Sequence, residues 1–181
     1  MASSQSTSPT IEYDAFLFDL DGTLLDTAEQ PQAQRVKQLI DAYAANIAKH
    51  TTCFAGIEPL LIELERKNIK WGIMTNKPGF LTDPLVAAIP ALKNACVVIS
   101  GDTLAEAKPS PLPLLHCAKL MGVAPNRCLY IGDALRDIQA GKAAGMHTAT
   151  ALWGYVPNLT EVLSWQADFN WQSPIEGFNH I

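Results

Sequence analysis

The sequence lacks the features that mark several specialised classes of protein. No apolar run approaches the length needed to cross a bilayer. The 4 cysteines show no C-x-x-C spacing and are predicted to be buried free thiols, and the 4 histidines share no metal-ligand spacing. The formal net charge of −5 provides no basic surface for nucleic acid or an anionic membrane. We therefore predict a globular protein without a nucleic-acid or membrane partner.

The N-terminal stretch, residues 1–11, lacks the basic and apolar parts of a secretion signal. It is predicted to be a disordered leader, and the protein is expected to be cytoplasmic. A hydrophobic content of 48% with 17% charged residues is typical of a globular domain. A chain of 181 residues is long enough for one substantial domain.

Short apolar runs alternate with helical patterns along the chain. The candidate strands are AFLFDL, IKWGIMT, ACVVIS, CLYIGD and HTATAL. Their nearly continuous apolarity suits a parallel sheet that is covered on both faces, and helical spacing follows most of them. We predict a three-layer, Rossmann-like α/β fold with helices on both faces of the sheet. Its ligand site should lie at the carboxyl ends of the strands.

One region interrupts this alternation. Between the first strand and a helix near Glu58, apolar residues have the spacing of a single amphipathic helix. They are Val36, Leu39, Ile40, Tyr43, Ala44 and Ile47. We predict a core domain over 12–27 and 54–181 and a small helical excursion over 28–53. If the apolar stripe is exposed, it favours a homodimer.

Seven polar residues follow the predicted strands or precede a helix. They are Asp19, Asp21, Thr75, Asn76, Lys108, Asp133 and Asp137. Because the carboxyl ends of parallel strands meet at one edge of a sheet, these side chains should converge. Grouped carboxylates repel unless a cation neutralises them, and a hard divalent cation with oxygen ligands fits best. The sequence therefore predicts a Mg²⁺ site at this edge.

The same residues suit transfer of a phosphoryl group. A free carboxylate oxygen of Asp19 could attack phosphorus as a covalent nucleophile. Asp21, two residues later, could protonate the leaving alkoxide and then activate water. The predicted phosphate-binding residues are Gly22, Thr75, Asn76 and Lys108, with Gly22 and Asn76 marking where backbone N–H groups contribute.

Four motifs in order carry a resemblance to a known family. DLDGT, the T-N after the second strand, KP and GD-x-x-x-D resemble the motifs of the haloacid dehalogenase-like phosphatases. WGIMTNKP and the stretch from KPSPLP to AAGM are similar to the phosphoglycolate phosphatase group, especially the N-acetylmuramic acid 6-phosphate phosphatases. The resemblance implies an Mg²⁺-dependent phosphomonoesterase that acts on a small phosphorylated metabolite through an aspartyl-phosphate. Phosphoglycolate or a sugar phosphate such as N-acetylmuramic acid 6-phosphate would be the substrate.

The resemblance also implies a role for each residue. It assigns catalysis to Asp19 as nucleophile, Asp21 as acid and base, and Thr75 and Lys108 as holders of the phosphate. The implied metal ligands are Asp19, Asp21 through its carbonyl, Asp133 and Asp137, the last either directly or by orienting the ion.

The chain departs from the family pattern in one respect. Members of the group carry a multi-helix cap between the first motif and the segment that corresponds to FAGIEPLL. Here the stretch that ends at His50 resembles only the last helix of that cap, so the cap is predicted to be truncated. An active phosphatase and a weakly active or non-catalytic interaction protein both remain open. A phosphomutase is a third reading, although it needs a cap to exclude water.

Several residues near the predicted site have two interpretations. Lys77 and Arg136 each fit either a surface salt bridge or a substrate contact. Asp26 is expected to cap a turn where the excursion begins. Trp153 and Tyr155 follow the fifth strand and are expected to pack in the core or under the lid, with a position beside the site as the alternative.

Overall fold

A six-stranded parallel sheet lies at the centre of the protein. The computed structural model describes residues 12–27 and 51–181. In chain order the strands are β1 (Ala15–Phe18), β2 (Leu25–Asp26), β3 (Thr52–Cys53), β4 (Lys70–Met74), β5 (Val98–Ile99), β6 (Cys128–Gly132), β7 (His147–Ala151) and β8 (Phe169–Trp171). The large sheet has the order β5-β4-β1-β6-β7-β8, and every neighbouring pair in it is parallel. The predicted α/β fold is confirmed, with β8 as an additional edge strand.

Within the described ranges, five α-helices accompany the sheet. They are α1 (Ile57–Arg66), α2 (Gly79–Ala88), α3 (Leu112–Met121), α4 (Leu135–Ala143) and α5 (Leu159–Ser164). Short 3₁₀ helices cover Pro90–Leu92, Pro125–Arg127 and Pro174–His180. None of the described helices is long and apolar enough to cross a membrane.

The side chains of β1 alternate between two buried clusters. Phe16 and Phe18 pack with residues of α1 and α2, whereas Ala15 and Leu17 pack with residues of α3 and α4. All four are buried because helices cover both faces of the sheet. This explains why the strand reads as a continuous apolar run rather than as an alternating one.

Two short strands mark where the chain leaves the core and returns to it. β2 and β3 pair antiparallel, with Asp26 opposite Thr52. The ends of the predicted excursion are therefore adjacent. Its amphipathic helix, like the predicted leader over 1–11, lies outside the described residues. The domain boundaries and the homodimer contact stay predictions.

All four cysteines are free, as the sequence predicts. Cys117 and Cys128 are buried, but Cys96 is exposed and Cys53 is half-buried. The prediction of burial was therefore wrong for two of them. Cys96 lies in a bend two residues before the edge strand β5 and is exposed there, although its N–H donates to the carbonyl of Trp71 in β4 at 2.8 Å.

We expect Leu17→Ala to lower the free energy of unfolding by about 2–5 kcal/mol, because it opens a cavity beside the central strand. Leu120→Ala on α3 is the matched control, since that side chain is 59% exposed. Urea unfolding followed by circular dichroism would measure both variants. Equal losses in the two variants would contradict this account of the core.

Candidate active site

The parallel register brings the ends of three strands to one edge of the sheet. Phe18, the last residue of β1, is aligned with Ile73 on one side and Ile131 on the other. Asp19 therefore emerges beside the ends of β4 and β6, and its N–H donates to the carbonyl of Ile131 at 2.8 Å. Thr75 emerges from β4 in the same way, and its N–H donates to the carbonyl of Ile99 at 3.0 Å.

Three acids form a buried cluster at this edge. One carboxylate oxygen from each of Asp19, Asp133 and Asp137 lies within 4.8 Å of the others. Asp137 reaches the cluster from the first turn of α4, where its Oδ2 accepts the N–H of Ala134 at 2.9 Å. All three acids are buried. Buried oxygen donors this close are the ligand set that a hard divalent cation takes.

Lys108 lies between two of these acids. Its Nζ is 2.7 Å from Oδ1 of Asp19 and 2.8 Å from Oδ1 of Asp137. It also donates to the hydroxyl oxygen of Tyr130 at 2.8 Å and to the carbonyl of Met74 at 3.2 Å. One ammonium cannot neutralise three carboxylates, so the buried site keeps an excess of negative charge. The donor set and its charge therefore fit Mg²⁺.

The side chain of Asn76 holds Lys108 in place. Its Nδ2 donates to the carbonyl of Lys108 at 2.9 Å, and the N–H of Lys108 donates to its Oδ1 at 3.0 Å. Sequence reasoning placed Asn76 near the phosphate through its backbone and did not anticipate this two-point contact. It also missed Tyr130, which reads in the sequence as an ordinary core residue of β6.

Burial dominates the acid–base properties of the site. It raises the pKa of Asp19 to about 7, against the opposing effect of Lys108. It also raises the pKa of Asp133 to about 6. Burial disfavours the charged form of Lys108, but the carboxylates of Asp19 and Asp137 outweigh it and raise its pKa. The raised pKa values of Asp19 and Asp133 therefore favour their protonated forms unless a further cation is bound, whereas Lys108 stays charged.

Asp21 lies outside the buried acid cluster, at the more exposed side of the site, which we call its mouth. Its Oδ1 lies 3.1 Å from Nζ of Lys77, and its side chain is 30% exposed. The turn that carries it depends on Gly22, whose φ is 79° and whose N–H donates to the carbonyl of Leu25 at 2.9 Å. A side chain at Gly22 would collide with the carboxylate of Asp133.

The segment after β7 connects the acid cluster to β2, the strand where the chain leaves the core. The N–H of Tyr155 donates to Oδ2 of Asp133 at 2.9 Å, and its hydroxyl donates to Oδ1 of Asp26 at 2.8 Å. The same hydroxyl accepts the N–H of Thr27. Nearby, Nε1 of Trp153 donates to the carbonyl of Thr23 at 2.9 Å. Tyr155 therefore borders the site, which is the alternative that the sequence left open.

Comparison with known proteins assigns the chain to a family. The model of the haloacid dehalogenase-like hydrolases matches residues 28–151. The chain belongs to this family of haloacid dehalogenase-like hydrolases. The phosphoglycolate phosphatase of Xylella fastidiosa strain Temecula1 is 44% identical over 133 residues, which are 74% of this chain and 58% of the relative. The chain spans only 58–63% of the length of this and the similar Xanthomonas campestris enzymes.

Another relative matches over most of both chains. The N-acetylmuramic acid 6-phosphate phosphatase of Pseudomonas putida is 28% identical over 207 aligned residues, covering 90% of this chain and 93% of the relative. The alignment is longer than this chain, so the relative contains an insertion that the chain lacks.

Two solved structures share the fold of this chain. A Lactobacillus plantarum structure, provisionally described as a phosphoglycolate phosphatase, has a TM-score of 0.79 at 24% identity, covering 94% of this chain and 100% of that one. CbbY from Rhodobacter sphaeroides, solved in complex with phosphate, has a TM-score of 0.74 at 21% identity and covers 91% and 96%. These likenesses support the fold alone.

We expect Lys108→Met to destabilise the metal-free protein by about 3 kcal/mol at neutral pH, because it leaves the buried carboxylates of Asp19 and Asp137 without their cation. Lys119→Met on the exposed side of α3 is the matched control. Urea unfolding in a chelator would measure both. If the two variants unfold alike, the buried ion pairs do not stabilise the fold.

The metal-free protein should lose stability as pH rises from about 4 to about 7. In this window the folded state retains protons on Asp19 and Asp133 that the unfolded chain releases, because both pKa values are raised. Mg²⁺ should reverse the trend, since it binds the ionised carboxylates. Melting temperatures measured across this range with chelator or MgCl₂ would test it.

Asp133→Asn should flatten the pH dependence in chelator, because it removes one of the two groups. A metal-free stability that instead rises steadily over this range would contradict the raised pKa values.

Proposed function

We propose that this chain is an Mg²⁺-dependent phosphomonoesterase that works through an aspartyl-phosphate on Asp19. The observation that carries the proposal is the buried cluster of Asp19, Asp133 and Asp137 around Lys108, with Asp21 two residues from Asp19 at the open side. Such a cluster costs stability when Lys108 is its only cation, so a function that uses the remaining negative charge accounts for it. The family membership supports the same reaction class.

Mg²⁺ would be held by the carboxylates of Asp19 and Asp133 and by the carbonyl of Asp21, with Asp137 as a further ligand or an orienting group. When bound, it supplies positive charge that neutralises the carboxylates and the phosphoryl oxygens. The remaining chemistry belongs to side chains of this chain.

In the first step, a carboxylate oxygen of Asp19 attacks phosphorus and the ester P–O bond breaks. Asp21 gives its proton to the departing alkoxide oxygen, which leaves as an alcohol. In the second step, Asp21 takes a proton from water, and the resulting hydroxide displaces the phosphate from Asp19. Both carboxyl groups return to their starting states, so the two steps balance.

Lys108 and Thr75 would hold the phosphoryl oxygens during both steps. The Lys108 ammonium already lies 2.7 Å from the nucleophile, so a phosphoryl group that bonds to Asp19 comes within its reach. Thr75 is buried beside it at the end of β4. The turns that contain Gly22 and Asn76 are proposed to contribute backbone N–H groups to the phosphate. The N–H of Gly22 itself is already bonded to the carbonyl of Leu25, so the contribution of its turn would come from neighbouring residues.

For the substrate we propose phosphoglycolate or a sugar phosphate such as N-acetylmuramic acid 6-phosphate, because similar proteins carry these names. Both molecules combine a phosphate monoester with a carboxylate.

A second candidate function is a weakly active or non-catalytic interaction protein. It is favoured by the insertion that the Pseudomonas putida relative contains and this chain lacks.

The full chain should release phosphate from a small phosphate ester only when Mg²⁺ is present, and Asp19→Asn should abolish the release because the nucleophile is lost. A phosphate-release screen over phosphoglycolate, N-acetylmuramic acid 6-phosphate and an aryl phosphate would measure it. The folding control is a melting curve of Asp19→Asn. If the folded wild-type chain releases no more phosphate than Asp19→Asn on any ester, the interaction-protein alternative replaces this proposal.

A further inference from the structure

The backbone of Lys77 is fixed by three hydrogen bonds. Its N–H donates to Oγ1 of Thr75 at 3.1 Å. Its carbonyl accepts the N–H of Gly101 at 2.9 Å and the hydroxyl of Thr82 at 3.1 Å. Thr82 is completely buried and belongs to α2. The backbone of Lys77 is therefore held by the residue that follows β4, by α2 and by the loop after β5. The side chain projects from this fixed backbone at the mouth of the site.

The side chain of Lys77 differs from the lysines and arginines of the surface. Its ammonium is 3.1 Å from Oδ1 of Asp21, and the side chain is only 11% exposed. In the surface pairs of Arg66 with Glu63 and of Arg127 with Asp14, the arginine side chains are 65% and 46% exposed. Pairs of that kind contribute little, whereas a sheltered ammonium keeps its position and its electrostatic reach.

The position of this ammonium relative to the reaction is set by Asp21. In the proposed mechanism Asp21 protonates the leaving oxygen, so that oxygen lies within about 3 Å of the Asp21 carboxylate. Lys77 contacts the same carboxylate. Atoms one or two bonds beyond the leaving oxygen can therefore come within reach of the ammonium of Lys77. The transferred phosphoryl group, in contrast, lies deeper, beside Asp19 and Lys108.

The geometry points to Lys77 as the residue that recognises a carboxylate on the leaving group of the substrate. This inference rests on the proposed phosphatase activity and deepens it by naming the substrate class: phosphate monoesters of hydroxy acids. An ammonium has three N–H groups, so Lys77 can contact Asp21 and a substrate carboxylate at the same time. A charge-assisted hydrogen bond in a sheltered site discriminates strongly against a ligand that lacks the charge.

The experiment compares two matched pairs of substrates. Phosphoglycolate is paired with ethyl phosphate, and N-acetylmuramic acid 6-phosphate is paired with N-acetylglucosamine 6-phosphate, which lacks the carboxylate. Lys77→Met should lower the preference in kcat/KM for phosphoglycolate, whose carboxylate carbon is two bonds from the leaving oxygen, over ethyl phosphate by about 10- to 100-fold, the range expected for one charge-assisted hydrogen bond. The second pair shows whether a carboxylate much further from the leaving oxygen is also recognised. Lys77→Arg should keep most of the preference, because the cation remains. Lys142→Met, an exposed lysine of α4, should leave it unchanged.

A binding measurement separates recognition from chemistry. In an Asp19→Asn background with Mg²⁺, calorimetric titration should give weaker binding of phosphoglycolate after Lys77→Met, by about the same 10- to 100-fold. Binding of inorganic phosphate should be nearly unchanged.

Three results would overturn the inference. Equal losses for phosphoglycolate and ethyl phosphate would mean that Lys77 serves Asp21 or the phosphate and not a carboxylate. Weaker binding of inorganic phosphate, to the same extent as phosphoglycolate, would mean the same. If the wild-type chain turns over none of the four esters, the proposed function itself fails and this inference fails with it.

Discussion

A charged lysine enclosed by carboxylates is the constraint on which the rest of the structure depends. Lys108 and Asp137 are buried almost completely, and so is Asp19. Charges in such a place are tolerated only when hydrogen bonds and ion pairs surround them. The hydroxyl of Tyr130 and the carbonyl of Met74 supply the contacts to the ammonium that the ion pairs do not, and the amide of Asn76 holds the backbone of Lys108. The ends of β4 and β6 are therefore built around one ammonium group, and Asp19, the proposed nucleophile, lies against it.

Hydrogen bonds connect the acid cluster to the base of the excursion. Asp133, whose pKa burial raises to about 6, accepts the N–H of Tyr155, and the ring of that tyrosine extends to Asp26 and Thr27. Tyr155 therefore links β2, through Asp26, to Asp133 of the acid cluster. A movement of β2 would either break the contact of the Tyr155 hydroxyl or shift the residue whose backbone is bonded to a proposed metal ligand.

The sequence was sufficient for features that depend on local pattern and on general topology. Apolar runs that end in Asp19 and Asp133 predict buried parallel strands with acids at one edge, and the register places them there. The supporting contacts were missed because they join residues far apart in the chain. Asn76 and Lys108 are separated by 32 positions, and Tyr155 and Asp26 by 129. No periodicity encodes such pairs, because each depends on how loops from different strands meet in three dimensions.

The residues of the site differ in burial, and their proposed roles differ accordingly. Lys108 cannot change without stranding charges in the interior, so the part that handles the phosphoryl group is fixed by stability as well as by chemistry. Asp21 and Lys77 lie further out, and their side chains are 30% and 11% exposed, so this pair is less enclosed than Lys108, whose side chain is 1% exposed. Selection for a different alcohol can therefore act on the mouth while the acid cluster stays intact. Under the proposed function, the interior of the fold supplies the chemistry, and the less enclosed pair of Asp21 and Lys77 faces the leaving group of the substrate.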